Sequence, residues 1–151
     1  ILINSAALGQ QSSLIDGDAK KWREMLDINV IALCICTKEA IRDMHNRDFP
    51  GYIIHINSLS GHRIFYEGGI YSASKFALTA LTESLRKELH QSKSKIRISQ
   101  ISSGLVETAF HEKYYESKER ASQIYAKFPP LTGADIARSV DFILRKKKKI
   151  L

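Results

Sequence analysis

Apolar residues fall into two kinds of block along this chain, short runs bounded by polar residues and longer stretches in which they recur every three or four positions. The short runs are Ile1-Leu2-Ile3 leading into Asn4-Ser5, Tyr52-Ile53-Ile54-His55-Ile56-Asn57, and Ile96-Arg97-Ile98-Ser99-Gln100-Ile101. Each reads as a strand. Between the first two, Trp22, Leu26, Leu33, Ala40 and Met44 form one stripe on a helix turning about 100° per residue, which predicts a helix over about Ala19 to Asn46. Leu78, Leu81, Leu85 and Leu89 mark a second long helix that also carries Tyr71 and Lys75. Asn29 falls in the middle of the first stripe. Burying an amide there without partners would cost roughly 1 to 3 kcal/mol, so Asn29 is either hydrogen-bonded structurally or placed for use.

Strands alternating with long helices predict an α/β fold of parallel βαβ units with right-handed crossovers. All strands then end on one edge of the sheet, gathering Asn4-Ser5, Asn57-Ser58 and Ser102-Ser103-Gly104 where open α/β sheets bind ligands. Beyond Gly104, Phe110, Tyr114, Ala121, Ile124, Tyr125 and Phe128 recur at roughly helical spacing in a charged stretch. Residues from about 108 to 130 read either as a lid over an apolar substrate or as short helices packed on the core. Pro129-Pro130 breaks the chain, and Thr132 with Asp135 predicts a capping box flanked by Leu131 and Ile136 at staple positions. The helix that follows has Ile136, Val140, Ile143 and Leu144 for its buried face. One domain spans 1–151.

Composition narrows the classes. With 151 residues and 44% hydrophobic content, the chain has enough apolar material for one packed domain and lacks an apolar run long enough to span a membrane. The net charge of +7 comes partly from Lys146 to Lys149 and otherwise from scattered helix positions, which reads as a solvated surface rather than a nucleic-acid face. Cys34 and Cys36 lie two apart on a helix and face different ways, so neither a disulfide nor a metal pair is expected. A reducing, cytoplasmic location fits them. His45, His55, His62, His90 and His111 show no ligand spacing, so no metal site is expected, and His55 within a strand reads as structural.

The chemistry centres on Tyr71 and Lys75, four apart on one helix face. A phenol titrates near ~10 and a useful proton donor near ~7, so neighbouring cations must supply roughly 3 pKa units, about 4 kcal/mol. Ser58 stands thirteen residues before Tyr71 at a strand end, with Gly61 three residues later and Tyr71 opening Y-S-A-S-K. This combination resembles the short-chain dehydrogenase/reductase family. The resemblance implies that Ser58 hydrogen-bonds the substrate oxygen, that Tyr71 passes the proton, and that Lys75 lowers the tyrosine pKa while holding the nicotinamide ribose hydroxyls. Ser60 rivals Ser58, but the offset to Gly61 favours Ser58 and leaves Ser60 as a turn residue. Asn29, in L-D-I-N-V, matches the family's asparagine that helps hold a water in the proton relay.

Ile3-Asn4-Ser5-Ala6-Ala7 occupies the place of the family's N-N-A-G element, which brings Asn4 and Ala6 close to the cofactor. If the backbone needs φ > 0 or close approach to the ligand where Ala7 replaces the glycine, alanine costs about 1 kcal/mol or more. Ser102 to Thr108 resembles the segment after the sixth strand, with Ser103 in place of the usual proline. It implies that Gly104 and Val106 bring backbone to the nicotinamide and that Thr108 contacts its carboxamide; Thr108 can also cap the next helix.

The implied fold is a partial Rossmann-type doubly wound parallel sheet, holding the family's strands four to six and flanking helices and lacking the first βαβ half and the last strand. No G-x-x-x-G-x-G occurs, so the adenosine side and the residue that chooses NAD or NADP have no counterpart. H-I-N-S-L-S-G-H-R and L-T-G-A-D-I-A-R-S-V resemble the NADP-linked carbonyl and alcohol dehydrogenases of the family-member-11 and insect farnesol dehydrogenase type. NADP is therefore the expected cofactor, with NAD left open, and a small apolar alcohol or ketone the expected substrate. Family dimers pair the two long helices, so a homodimer is expected, and neither nucleic acid nor membrane is a partner. Two other readings stand beside this oxidoreductase. One is a non-catalytic module that keeps the dimerisation helices; the other is a nucleotide-sugar epimerase relative. The chain alone is expected to be inactive and to expose an unpaired sheet edge.

Overall fold

The three apolar runs pair into one parallel sheet in the order β1-β2-β3. The structure, a computed structural model, describes residues 1–65 and 68–146; Tyr66, Glu67 and the end of the lysine run from Lys147 onward lie outside the described residues. β1 (Leu2–Asn4) lies beside β2 (Tyr52–Ser58) with Leu2 opposite Ile53, and β3 (Arg97–Ser103) lies on the other side with Ser58 opposite Ser103. Because β2 has neighbours on both edges, its Ile53, Ile54 and His55 are fully buried. Ile3 on β1 is exposed.

The first long helix is not uniform. It runs as α1 (Ala19–Leu26), then a π-helical turn over Asp27–Ala32, then α2 (Leu33–Asn46). A stripe at constant pitch puts Leu26 inward, yet Leu26 is 38% exposed and Met25 is buried in its place. The wider turn takes up an extra residue and rotates the phase, so Met25, Asn29, Leu33 and Thr37 face the core at steps of four. Leu26, Ile28, Ile31 and Ile35 are consequently left on the outside. Cys34 is half-buried, Cys36 is exposed, and both are free thiols.

α3 (Gly69–Gln91) connects β2 to β3. Its Leu89 joins Met44, Ile53, Ile96 and Ile98 in the apolar core, with Leu2, Ala40, Ile41 and Leu85 packed around them. Nearer the carboxyl ends of the strands the interior turns polar, with Asn29, Thr37, His55, Asn57, Ser72, Ser74, Lys75 and Thr82 all buried. Apart from Ser72, whose Oγ has no partner among the described residues, these side chains are hydrogen-bonded, so this half is specified by hydrogen bonds where the other is specified by packing.

His55, 1% exposed, shows how. Thr82 Oγ1 donates to the Leu78 carbonyl at 2.8 Å and so accepts from His55 Nδ1–H at 2.9 Å. His55 Nε2 is then an acceptor facing the Thr37 hydroxyl at 3.4 Å, and Thr37 Oγ1 accepts Asn4 Nδ2–H at 3.0 Å. One neutral tautomer satisfies the whole chain of bonds from β1 to α3. Burial, assisted by the Lys75 charge, lowers the His55 pKa from 6.5 to about 4. The unfolded chain takes up this proton first, so stability falls by roughly 3 kcal/mol as pH drops from about 6.5 to about 4 and levels off below. Nitrogen NMR should show His55 neutral and protonated at Nδ1 down to about pH 4; a midpoint near 6.5 would overturn the assignment.

After β3 the chain forms α4 (Ala109–Tyr115) and α5 (Lys118–Lys127), separated by Glu116 in the left-handed region at φ 52°. Val106 and Leu131 pair across the base of this excursion, with Glu107 N–H donating to Leu131 O at 2.8 Å and Leu131 N–H to Leu105 O at 2.9 Å. α6 (Gly133–Arg145) starts at the expected capping box, Asp135 N–H on Thr132 Oγ1 at 3.3 Å and Thr132 N–H on Asp135 Oδ2 at 2.7 Å. Its apolar face departs from expectation, since Ile136, Val140, Ile143 and Leu144 are only half-buried and the staple residue Leu131 is exposed. β3 is the main element beneath it, too narrow a platform to cover a helix face. Among the described residues no helix is long and apolar enough to cross a membrane, and no cluster of His, Cys, Asp and Glu could hold a metal ion.

Candidate active site

Ser58 ends β2 and caps a 3₁₀ turn, Leu59–Gly61, that leads toward α3. The turn presses on the helix at Gly61, where a Cβ would come within 2.6 Å of the Lys75 carbonyl oxygen and 2.8 Å of Asn57 Nδ2. Only glycine permits this approach. Asn57, 2% exposed, fastens the same contact: Nδ2 donates to Thr79 Oγ1 at 2.9 Å and to Lys75 O at 3.3 Å, and Thr79 Oγ1 donates to Gly61 O at 3.0 Å. Strand end, turn and helix are thereby held as one piece.

Three side chains meet on that piece. Ser58 Oγ accepts the Ser60 N–H at 3.1 Å, which leaves its proton for the Tyr71 phenol. This contact lowers the Tyr71 pKa, but burial outweighs it, and Tyr71 titrates above its ordinary value near 10. Lys75 is 4% exposed; its ammonium donates to the Ile56 carbonyl at 3.3 Å and lies 5.9 Å from the Tyr71 ring centroid. Burial pushes its pKa down to about 8. The expected acidifying effect of Lys75 on Tyr71 is thus not what this arrangement produces. Desolvation of the phenol is the larger effect, and Lys75 spends its hydrogen bond on the strand backbone.

Asn29, 2% exposed, stands behind Tyr71. Its Oδ1 accepts Leu8 N–H at 2.7 Å, and its Nδ2 donates to Leu8 O at 2.8 Å and to Ser74 Oγ at 3.0 Å. Ser74 in turn donates to the Tyr71 carbonyl at 2.7 Å. The amide is consumed in clamping the loop after β1 to the turn that carries Tyr71. Its side chain reads as a strut.

α4 lies directly over the phenol. The Phe110 and Tyr114 rings sit 5.2 and 6.1 Å from that of Tyr71, and Tyr114 is buried. Gly9 makes room for them, since a Cβ there would fall 2.3 Å from the Phe110 ring. Gln11 N–H on Tyr114 O at 3.1 Å and Lys21 with Glu116 at 2.8 Å hold the same two loops together.

Ser58, Tyr71 and Lys75 thus bring a hydroxyl, a phenol and a buried ammonium together at the carboxyl end of a parallel strand on an α/β scaffold. Residues 1–119 match the family model described as short chain dehydrogenase. The chain belongs to the short-chain dehydrogenase family. It is 43% identical over 148 residues to chicken dehydrogenase/reductase SDR family member 11, covering 95% of this chain and 58% of that protein. Farnesol dehydrogenase of Aedes aegypti is 41% identical over 111 residues, covering 72% and 45%. Among solved structures, the closed form of a serine dehydrogenase complexed with NADP+ superimposes with a TM-score of 0.89 at 26% identity, covering 97% of this chain and 59% of that one. A 4-hydroxyisoleucine dehydrogenase mutant complexed with NADH and succinate gives 0.84 at 25%, covering 99% and 62%. The chain matches between 45% and 62% of the length of these relatives. The partial Rossmann-type sheet expected from sequence is the one present, strand by strand.

The remaining short-chain dehydrogenase positions lie on the two flanks of Ser58. Asn4 is turned inward onto Thr37, while Ala6 and Ala7 are exposed on the β1 side. Ala7 does not have a positive φ; Asp48, Lys93 and Glu116 are the non-glycine residues that do among those described. The part of the anticipated penalty that depended on a positive φ there does not arise. Gly104 is exposed and Val106 half-buried on the β3 side. Thr108 Oγ1 accepts Phe110 N–H at 3.2 Å as the cap of α4, as one of its two expected roles required. Ser60 contributes its N–H to Ser58 and is otherwise buried in the turn. Sequence reasoning placed Asn57 at the ligand edge but missed its fastening role, and it missed Thr79 and Gly9. A second inward polar residue two after His55 on β2 was the available signal for Asn57; nothing local marks the other two.

Proposed function

We propose that this chain carries the catalytic and nicotinamide side of an NADP-linked oxidoreductase that interconverts an apolar alcohol and its ketone. The observation that carries this reading is the gathering of Ser58, Tyr71 and Lys75 at the end of β2, with the buried Lys75 ammonium 5.9 Å from the Tyr71 ring centroid and Ser58 near enough to lower the phenol's pKa. In reduction, Ser58 donates a hydrogen bond to the carbonyl oxygen and Tyr71 gives it a proton as negative charge develops. In oxidation the same phenol oxygen removes the hydroxyl proton. The nicotinamide, when bound, supplies or takes up the hydride.

Lys75 supports a place for that cofactor. Among the described residues its ammonium has one hydrogen-bonded acceptor, Ile56 O, so N–H groups remain in a desolvated place. Ribose hydroxyls are acceptors of the kind such donors need. Ala6, Gly104 and Val106 would line the path with backbone, Asn4 would brace β1 beneath it, and Thr108 would stand at the carboxamide end. Asn29, its amide fully engaged, would act in a proton relay through its backbone only. NADP is favoured by the serine dehydrogenase relative bound to NADP+, although the 4-hydroxyisoleucine dehydrogenase holds NADH.

Phe110 and Tyr114 make the wall facing Tyr71 apolar, which favours a hydrophobic substrate and treats 108–130 as a lid. The exposed Leu26, Ile28, Ile31, Ile35 and Phe76 supply an apolar face on the two long helices for a homodimer. Free thiols at Cys34 and Cys36 suit a cytoplasmic protein.

NADPH titration followed by nicotinamide fluorescence tests the reading on this chain. Saturable enhancement at or below millimolar NADPH is the expected result. No enhancement at millimolar concentration would leave a non-catalytic module as the better description.

A further inference from the structure

The Tyr125 hydroxyl on α5 is a meeting point for groups on the segment between β3 and α4. It donates to the Thr108 carbonyl at 3.1 Å, with the Val106 carbonyl at 3.4 Å, and it accepts from Thr108 N–H at 3.4 Å. His111 Nδ1 lies 3.1 Å away. A phenol has one proton, and here it goes to a carbonyl, so the His111 ring must donate through Nδ1–H. The His111 ring also packs edge-on against Phe110 and Tyr125 at centroid distances of 5.3 and 5.4 Å.

These contacts are not the ordinary closing of a loop. The base of the excursion is already closed by the backbone pairing of Val106 with Leu131. Tyr125 adds a second attachment, from the far helix to Val106 and Thr108 on either side of Glu107. Through His111 it reaches the neighbour of Phe110, whose ring covers Tyr71. One oxygen atom therefore joins the backbone beside the strand ends to the helix lying over the phenol.

We propose that Tyr125 is a positioning residue which couples closure of the α4–α5 lid over Tyr71 to the backbone of Val106–Thr108. The coupling matters for catalysis if that segment faces the nicotinamide, and to that extent it rests on the function proposed above. When α5 is seated, the Thr108 N–H and carbonyl are held and the residues beyond β3 keep one conformation. When α5 lifts, they lose it together.

Hydrogen exchange on residues 1–151, with and without NADPH, tests this with Tyr125→Phe and, as a control in the same lid, Tyr115→Phe. Tyr125→Phe keeps the ring and removes the hub, so amides within 106–127 should exchange about fivefold to tenfold faster while β2 and α3 keep their protection. NADPH should bind about fivefold more weakly to this variant, and Tyr115→Phe should leave both measurements unchanged. Unchanged exchange in Tyr125→Phe, or acceleration spread evenly over the whole chain, would overturn the coupling. If the wild-type chain fails to bind NADPH, the functional reading falls, yet the exchange comparison still decides whether Tyr125 ties lid to backbone.

Discussion

Tyr71→Phe should leave the fold intact and remove turnover. The ring packs against Phe110 and Tyr114, and phenylalanine keeps those contacts while deleting the oxygen that meets Ser58. Loss of a positioned general acid costs about 10² to 10⁴ in rate, so ketone reduction should fall by about a thousandfold. NADPH affinity and melting temperature should barely change. Burial raises the Tyr71 pKa, so the phenol is protonated at neutral pH. Reduction should therefore be flat through neutrality and fail only in the alkaline range. Oxidation, which needs the phenolate, should rise with pH. Initial rates in both directions across pH check this, and unchanged turnover in the variant would remove Tyr71 from the mechanism.

Lys75→Met should also abolish turnover, but it should raise stability. Burial lowers the Lys75 pKa from 10.5 to about 8, and a shift of that size corresponds to about 3 kcal/mol held against the folded state at neutral pH. The sign follows from proton counting. Between about pH 8 and 10.5 the unfolded chain keeps the proton that the folded chain releases, so wild-type stability rises with pH across this window and is flat below it. Methionine fills a similar volume without a charge and gives up one hydrogen bond to Ile56 O, so a net gain of roughly 1 to 3 kcal/mol is expected at pH 7, a shift of several degrees in melting temperature. The slope between pH 8 and 10.5 should vanish. Denaturant melts at pH 7 and 9.5 measure both. A methionine variant less stable than wild type at pH 7 would show that the ammonium is comfortably solvated and not stored strain.

These two expectations pull apart what the sequence pattern had joined. Four-residue spacing places Tyr71 and Lys75 on one face of α3, and the pattern alone invites the inference that the cation acidifies the phenol. The structure keeps the juxtaposition and reverses the balance. Spacing determines direction, whereas the sign of a pKa shift depends on how much water the surrounding elements exclude. Here α4 lies over Tyr71 and the β2 backbone receives Lys75.

The first long helix shows the same division. Its existence and approximate ends, Ala19 and Asn46, were readable from periodicity. The π-helical turn that accompanies Met25 turning inward and Leu26 outward was not, because Asn29 within it meets partners, Leu8 and Ser74, that are far away in sequence. At the other end, Thr132 and Asp135 announce α6 unaided, since a capping box is a local bond pair. How deeply that helix is buried depends on what it meets, and β3 covers only part of it.

Strand and helix order, the parallel sheet, the edge on which Ser58 sits and the family all follow from the sequence, because periodicity, caps and short-range spacing are properties of neighbouring residues. Tertiary structure alone decided that His55 is a neutral link, that Asn57 and Gly61 bind the Ser58 turn to α3, and that Gly9 admits the rings above Tyr71. Each of these depends on the distance between segments remote along the chain, and burial, the quantity that sets their energies, exists only once those segments have met.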